Sequence, residues 1–154
     1  MLSIAEIVAD CISYSEEQNW FEYKDGWYEP DGIGEYISSL SNAAAMLGKE
    51  EGYLIWGIHN STHELTDTKF NYHQDVKNEP LEHYLARNIT PGIYFRFDED
   101  MIDGKRVVVL RVPAAHTVPT VATFALARAR LTLQSFLKEK QNCSVCLIPA
   151  CLIW

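Results

Sequence analysis

Basic residues are in short supply. Thirteen Lys and Arg face 21 Asp and Glu, leaving the 154-residue chain at −8 near neutral pH, with a pI of about 5.0. Phosphate contacts need Lys or Arg, so this balance argues against broad wrapping of nucleic acid and leaves room for a local basic groove. No apolar run approaches the roughly 18 residues of a membrane span, which excludes an integral membrane helix. The N-terminus lacks the basic start and cleavage pattern of a secretory signal. The four cysteines are therefore expected as reduced thiols in a cytoplasm rather than as a disulfide framework. Internal repeats and Gly/Pro-rich linkers are also missing. With 47% apolar and 22% charged residues, the composition is that of one globular domain able to bury a core.

The chain is organised around Gly52-Tyr-Leu-Ile-Trp-Gly-Ile-His-Asn60. A short run this apolar, rich in β-branched and aromatic residues, predicts a strand buried on both faces. Gly52 and Gly57 allow close backbone approach. Polar groups at the end of such a strand sit on a rigid base, where function concentrates.

Before it, Ser3 and Glu6 have capping-box spacing, and Ile4, Ile7, Val8, Cys11 and Ile12 share one helical face. Trp20 to Lys24 predicts a short strand on which Glu22 and Lys24 point the same way. Pro30 opens a second helix with a buried stripe of Ile33, Ile37, Leu40, Ala44 and Leu47, capped by Gly48. Pro80 to Arg87 predicts a third helix with proline in its first turn. Ile93–Phe97 and Lys105–Val112 flank Asp103-Gly104 as a hairpin. The order α-β-α-β-α-β-β gives an α+β fold, a mixed β-sheet with helices packed on it.

Four stretches occur in a specific order: Glu22-Tyr-Lys24, the Ser39-Leu-Ser-Asn-Ala43 helix, Gly52-Tyr-Leu-Ile-Trp-Gly-Ile58, and Val107-Val-Val-Leu-Arg-Val-Pro-Ala-Ala115. Together they resemble the Schlafen AlbA_2 domain, found in animal Schlafen proteins and in bacterial proteins labelled DNA-binding or divergent AAA-type transcriptional regulators. The resemblance covers about Glu17 to Pro119 and implies an AlbA_2-like fold and nucleic-acid binding, to DNA or RNA. In animal Schlafen nucleases, an acidic cluster with a divalent metal cleaves RNA. Here Glu17 and Glu22 match the family's paired glutamates and Lys24 its following lysine, but the third acid falls on Asn60. A neutral amide weakens a site for Mg²⁺ or Mn²⁺, which want hard anionic oxygens. Asp67, seven residues on, is a candidate replacement.

Each candidate has a plainer reading. Glu22 with Lys24 also describes a same-face salt bridge of little energetic consequence, and Glu16-Glu17 a solvated helix end. His59, His63, His73, His83 and His116 lack the spacing of a closed metal set. Trp20, Tyr23, Trp27 and Tyr28 beside Lys24 suit base stacking, although core packing suits Trp20 and Phe21 better. Arg87, Arg96, Lys105, Arg106 and Arg111 supply cations that only the fold can gather. Gly48-Lys49 lacks the rest of a phosphate-binding loop.

From residue 121 the expected family text gives way to an atypical tail, so the chain divides into a 1–120 domain and a 121–154 extension. One choice of codons for Gln134–Gln141, read two bases later, encodes Lys-Phe-Pro-Glu-Arg-Glu-Ala, close to the family pattern. A frameshift in the gene is therefore the hypothesis for the tail, and Cys143, Cys146 and Cys151 do not complete a zinc set. A missing terminal strand would leave a sheet edge open to self-association. The leading expectation is a non-membrane module that binds nucleic acid through Glu22, Lys24, Asn60, Arg87 and Arg96, without a cofactor. The alternatives are a metal-dependent endoribonuclease using Glu17, Glu22 and Asn60 with Mg²⁺ or Mn²⁺, and a non-catalytic interaction domain.

Overall fold

The computed structural model describes residues 2–26 and 29–123. The expectations for Trp27, Tyr28, the atypical tail beyond residue 123 and Cys143, Cys146 and Cys151 lie outside these residues. Helix α1 (Ile4–Ile12) starts at the capping box, with the Ser3 and Glu6 side chains each bonding the other's backbone N–H. Strand β1 (Phe21–Lys24), helix α2 (Pro30–Met46) and strand β2 (Glu51–Trp56) follow. Next come β3 (Asp75–Val76), β4 (Glu79–Pro80), α3 (Leu81–Arg87) and β5 (Ile89–Thr90), then the hairpin of β6 (Arg96–Ile102) and β7 (Lys105–Pro113), and β8 (Val121–Ala122).

The main sheet has the order β1-β2-β7-β6. Strands β1 and β2 run parallel, joined through α2, and the other pairings are antiparallel. Side-chain alternation divides the core between the two faces. Leu54, Trp56, Val108, Leu110 and Val112 meet Ile33, Ile37 and Leu40 of α2 and Leu81 and Leu85 of α3. On the other face Phe21, Tyr23, Tyr53, Ile55, Val107 and Val109 meet Ile4, Ile7, Val8 and Cys11 of α1. Trp20, Phe21 and Tyr23 are buried, so none of these three offers a face on which a base could stack.

Several expectations shift in detail. The central strand ends at Trp56 rather than Asn60, because Gly57 turns to φ +98°. A Cβ there would stand 2.7 Å from the Arg106 carbonyl, so glycine is required. Pro80 precedes α3 as its N-cap instead of entering its first turn. The β6–β7 turn needs only Asp103 and Gly104, both at positive φ, as in a type I′ hairpin. Strand β6 also runs on through the acidic Asp98-Glu-Asp100, and charge on an edge strand discourages pairing with another copy. Among the described residues no helix is long and apolar enough to cross a membrane.

A buried polar clamp ties the end of the described chain to α2. The Asn42 side-chain amide donates to the Thr120 carbonyl at 2.9 Å and accepts from the Thr120 N–H at 2.8 Å. The Ser38 hydroxyl adds a 2.6 Å bond to the same carbonyl, and Ser41 lies 3.1 Å from the Thr120 hydroxyl. The small polar residues of α2 thus replace a strand partner and leave β8 paired with β5.

Candidate functional site at the ends of two parallel strands

Strand alternation sets the site. Glu22 and Lys24 stand in register with Leu54 and Trp56, so they face α2, while Phe21 and Tyr23 fill the opposite core. A polar pair turned toward a helix needs a polar partner there, and Tyr36 supplies it. Glu22 Oε1 accepts from Lys24 Nζ at 2.7 Å and from the Tyr36 hydroxyl at 3.1 Å. The ammonium also lies 4.8 Å from the centre of the Tyr36 ring, within cation–π range. Burial draws the Lys24 pKa down, but its bonds to Glu22 and Tyr36 outweigh this and the net shift is upward. Burial pushes the Tyr36 hydroxyl up.

Because β1 and β2 are parallel, the loops that leave them open at the same end of the sheet. The Gly57 N–H donates to the Lys24 carbonyl at 3.0 Å and locks the two exits together. Beyond it the chain folds back on itself: Ser61 and Thr62 N–H groups donate to His59 Nδ1 at 3.2 and 3.3 Å. The result is an open hollow of about 410 Å³ lined by Lys24, Asp25, Gly26, Tyr36 and Asn60.

Lys24 and Asn60, far apart in sequence, therefore share a hollow, with Glu22 directly behind the lysine. Glu17 is close by but occupied, its Oε1 accepting from the Tyr23 N–H at 2.8 Å. Burial raises the Glu17 pKa against the lowering effect of that bond, and the Glu22 charge raises it further.

The two arginines proposed from sequence are not gathered here. Arg87 ends α3 and pairs with Glu79. Arg96 pairs with Asp98 at 3.0 Å on β6, at the opposite edge of the sheet. Its register with Arg111, which in turn faces Tyr53, puts it on the α1 face, away from Lys24. Asp67 is engaged elsewhere, accepting from the Arg106 N–H at 2.8 Å.

These residues do not fit a divalent metal. One glutamate holds a backbone amide, the other holds an ammonium and a phenol, and the third position offers an uncharged oxygen. Among the described residues no three His, Cys, Asp or Glu side chains come together as a ligand set.

Sequence reading missed Tyr36 and Asp25. The signal for Tyr36 was present, since it flanks the buried Ile33–Ile37 stripe of α2 on the side that a polar strand face would meet. Asp25, just past the short strand that ends at Lys24, carried no signal that set it apart from a turn residue.

Comparison with known proteins adds the family. The model of the family described as Schlafen, AlbA_2 matches residues 17–143, a span that ends beyond the boundary at residue 121 drawn from the sequence. No curated protein matches the chain. Among solved structures it is similar to the DIP2311 protein from Corynebacterium diphtheriae, at 18% identity and a TM-score of 0.45, covering 78% of this chain. The chain spans 23% of that protein. It is also similar to the N-terminal domain of a RecG-related protein from Nitrosomonas europaea, at 16% identity and a TM-score of 0.49, covering 81% of this chain and 84% of that one. Matched by the family model over most of its length, the chain belongs to the Schlafen AlbA_2 family.

Proposed function

We infer that this domain is a nucleic-acid-binding module of a regulatory protein, and that it binds without cleaving. The observation that carries this reading is the meeting of Lys24 and Asn60, from the exits of two strands, at one open hollow. Glu22 acts there as the group that holds the ammonium in place. The amide of Asn60 can both donate to and accept from a base or sugar, whereas an aspartate could only accept. Family membership supports a nucleic-acid role. Metal-assisted cleavage is the weaker reading because the glutamates are committed to other partners.

A titration of the chain against duplex DNA and folded RNA, with and without Mn²⁺, tests this. Binding to at least one of these probes that Lys24→Ala weakens, with no product on a denaturing gel, is the expected result. Cleavage that disappears in Glu22→Ala would establish the ribonuclease instead. Absence of both binding and cleavage would leave the interaction-domain reading.

A further inference from the structure

The charge around the hollow limits which nucleic acid it can take. All but four of the 13 Lys and Arg, and all but one of the 21 Asp and Glu, lie within residues 2–123, so the described part is more acidic than the whole chain. Its four arginines are each ion-paired: Arg87 with Glu79, Arg96 and Arg111 with Asp98, and Arg106 with Glu99. Arg111 is 5% exposed, and Arg106 also donates to the Phe70 carbonyl at 2.6 Å. Lys49 lies over the Trp20 ring and Lys105 donates to the Leu65 carbonyl. A duplex gripped along its backbone needs a row of cations, one for each phosphate neutralised. Among the described residues the hollow is lined by one, Lys24, with Asp25 next to it in the chain, its carboxylate accepting from the Thr66 hydroxyl at 3.4 Å.

What the hollow offers instead is variety at close quarters: an ammonium, a phenol ring, an amide and a carboxylate around about 410 Å³. That volume falls within the range of small-molecule sites, roughly 300–1,000 Å³. A base inside a helix keeps its pairing edge and faces covered, while an unpaired one presents both.

We propose that the hollow selects a single unpaired nucleotide of a single strand, rejecting the duplex. Lys24 meets its phosphate, Asn60 and Asp25 take polar edges of its base or sugar, and Tyr36 forms the wall. The proposal rests on the nucleic-acid reading above and narrows it. Because one phosphate is engaged, binding depends only weakly on salt.

The test uses the full chain and a fluorescein-labelled single-stranded RNA dodecamer of adenosine and uridine without self-complementarity. The same strand annealed to its complement is the second probe, and both are titrated by anisotropy between about 50 and about 200 mM NaCl. The single strand is expected to bind about tenfold or more tighter than the duplex, with a log–log salt slope near −0.7, the value for one phosphate of a single strand. Lys24→Gln is expected to weaken single-strand binding about tenfold, the scale of one charge-assisted contact. Asn60→Ala, on an exposed loop, is expected to weaken it severalfold, and it decides the matter should the Lys24 variant fail to fold. Equal or tighter duplex binding, or a slope of several phosphates, overturns this proposal and leaves the nucleic-acid reading standing. Binding of neither probe, and of neither folded RNA nor duplex DNA, removes both.

Discussion

The Glu22–Lys24 pair makes a stability prediction that can be made quantitative. If Glu22 holds the ammonium, the two side chains must be energetically coupled, well beyond an ordinary surface pair. The contact is 2.7 Å, and the side chains are 16% exposed for Lys24 and 25% for Glu22. Exposed pairs couple by about 0.2–1 kcal/mol, while breaking a fully buried pair costs about 3–5 kcal/mol. A mostly covered pair that keeps some solvent belongs between these limits, at about 1–2 kcal/mol. Glu22→Gln keeps shape and an acceptor for Tyr36, and Lys24→Met keeps the stem over the Tyr36 ring. A double-mutant cycle of these changes, followed by urea unfolding, isolates the pair. The folded-state pKa of Lys24 lies above its ordinary value, so the contribution is complete below the ordinary lysine range. It should stay constant through neutral pH and fade only as pH rises through the raised value. A coupling within the range of exposed pairs, below about 1 kcal/mol, would refute the idea that Glu22 positions the lysine.

Three further outcomes follow from the geometry. Asn42→Ala removes two buried bonds to Thr120 and orphans its N–H, and should cost about 2–3 kcal/mol in urea unfolding. Gly57→Ala forces a Cβ to 2.7 Å from the Arg106 carbonyl at φ +98°, costing about 2–4 kcal/mol and lowering the thermal midpoint. The folded-state pKa of Glu17 lies above its unfolded value, chiefly through burial, so ionisation works against the fold as pH rises through that range. Glu17→Gln keeps an oxygen for the Tyr23 N–H and should stabilise by less than about 1 kcal/mol at neutral pH. That gain should vanish in acid, as thermal melts at two pH values would show.

Elements with a strong local signature were legible in the sequence. The Ser3–Glu6 box, the apolar run of β2 and the Asp103-Gly104 turn carry their own local physics. Strands β3 and β4 have two residues each and pair with each other across Lys77-Asn78, both at positive φ. Strands β5 and β8, equally short, pair only at long range, and Thr120 just before β8 is held by side chains of a helix some eighty positions away. Half of the site was readable for the same reason. Period-two alternation put Glu22 and Lys24 on one face, and the end of β2 pointed to Asn60. Which edge a strand occupies is not written in its own residues. Arg96 was grouped with the site only because the order β1-β2-β7-β6 could not be read from sequence.

That strand order also explains why a hollow forms at this end of the sheet. Of the pairings in the main sheet only β1–β2 is parallel, and a parallel pair needs a crossover, here α2. The crossover returns the chain to the starting edge, so both strands finish together and their loops open side by side. Had β2 run the other way, Asn60 would leave from the far end of β1, roughly 13 Å off across the four residues the two strands pair, at about 3.3 Å per residue. The same crossover lays α2 across the strand ends, which is how Tyr36 reaches Glu22. Gly52 permits that close approach, since a Cβ there would stand 2.9 Å from the Leu40 carbonyl of α2. Packing in the core and geometry at the hollow are therefore one constraint. A bulkier residue at position 52 should push α2 away and loosen the Tyr36–Glu22 bond, without touching any group that lines the hollow.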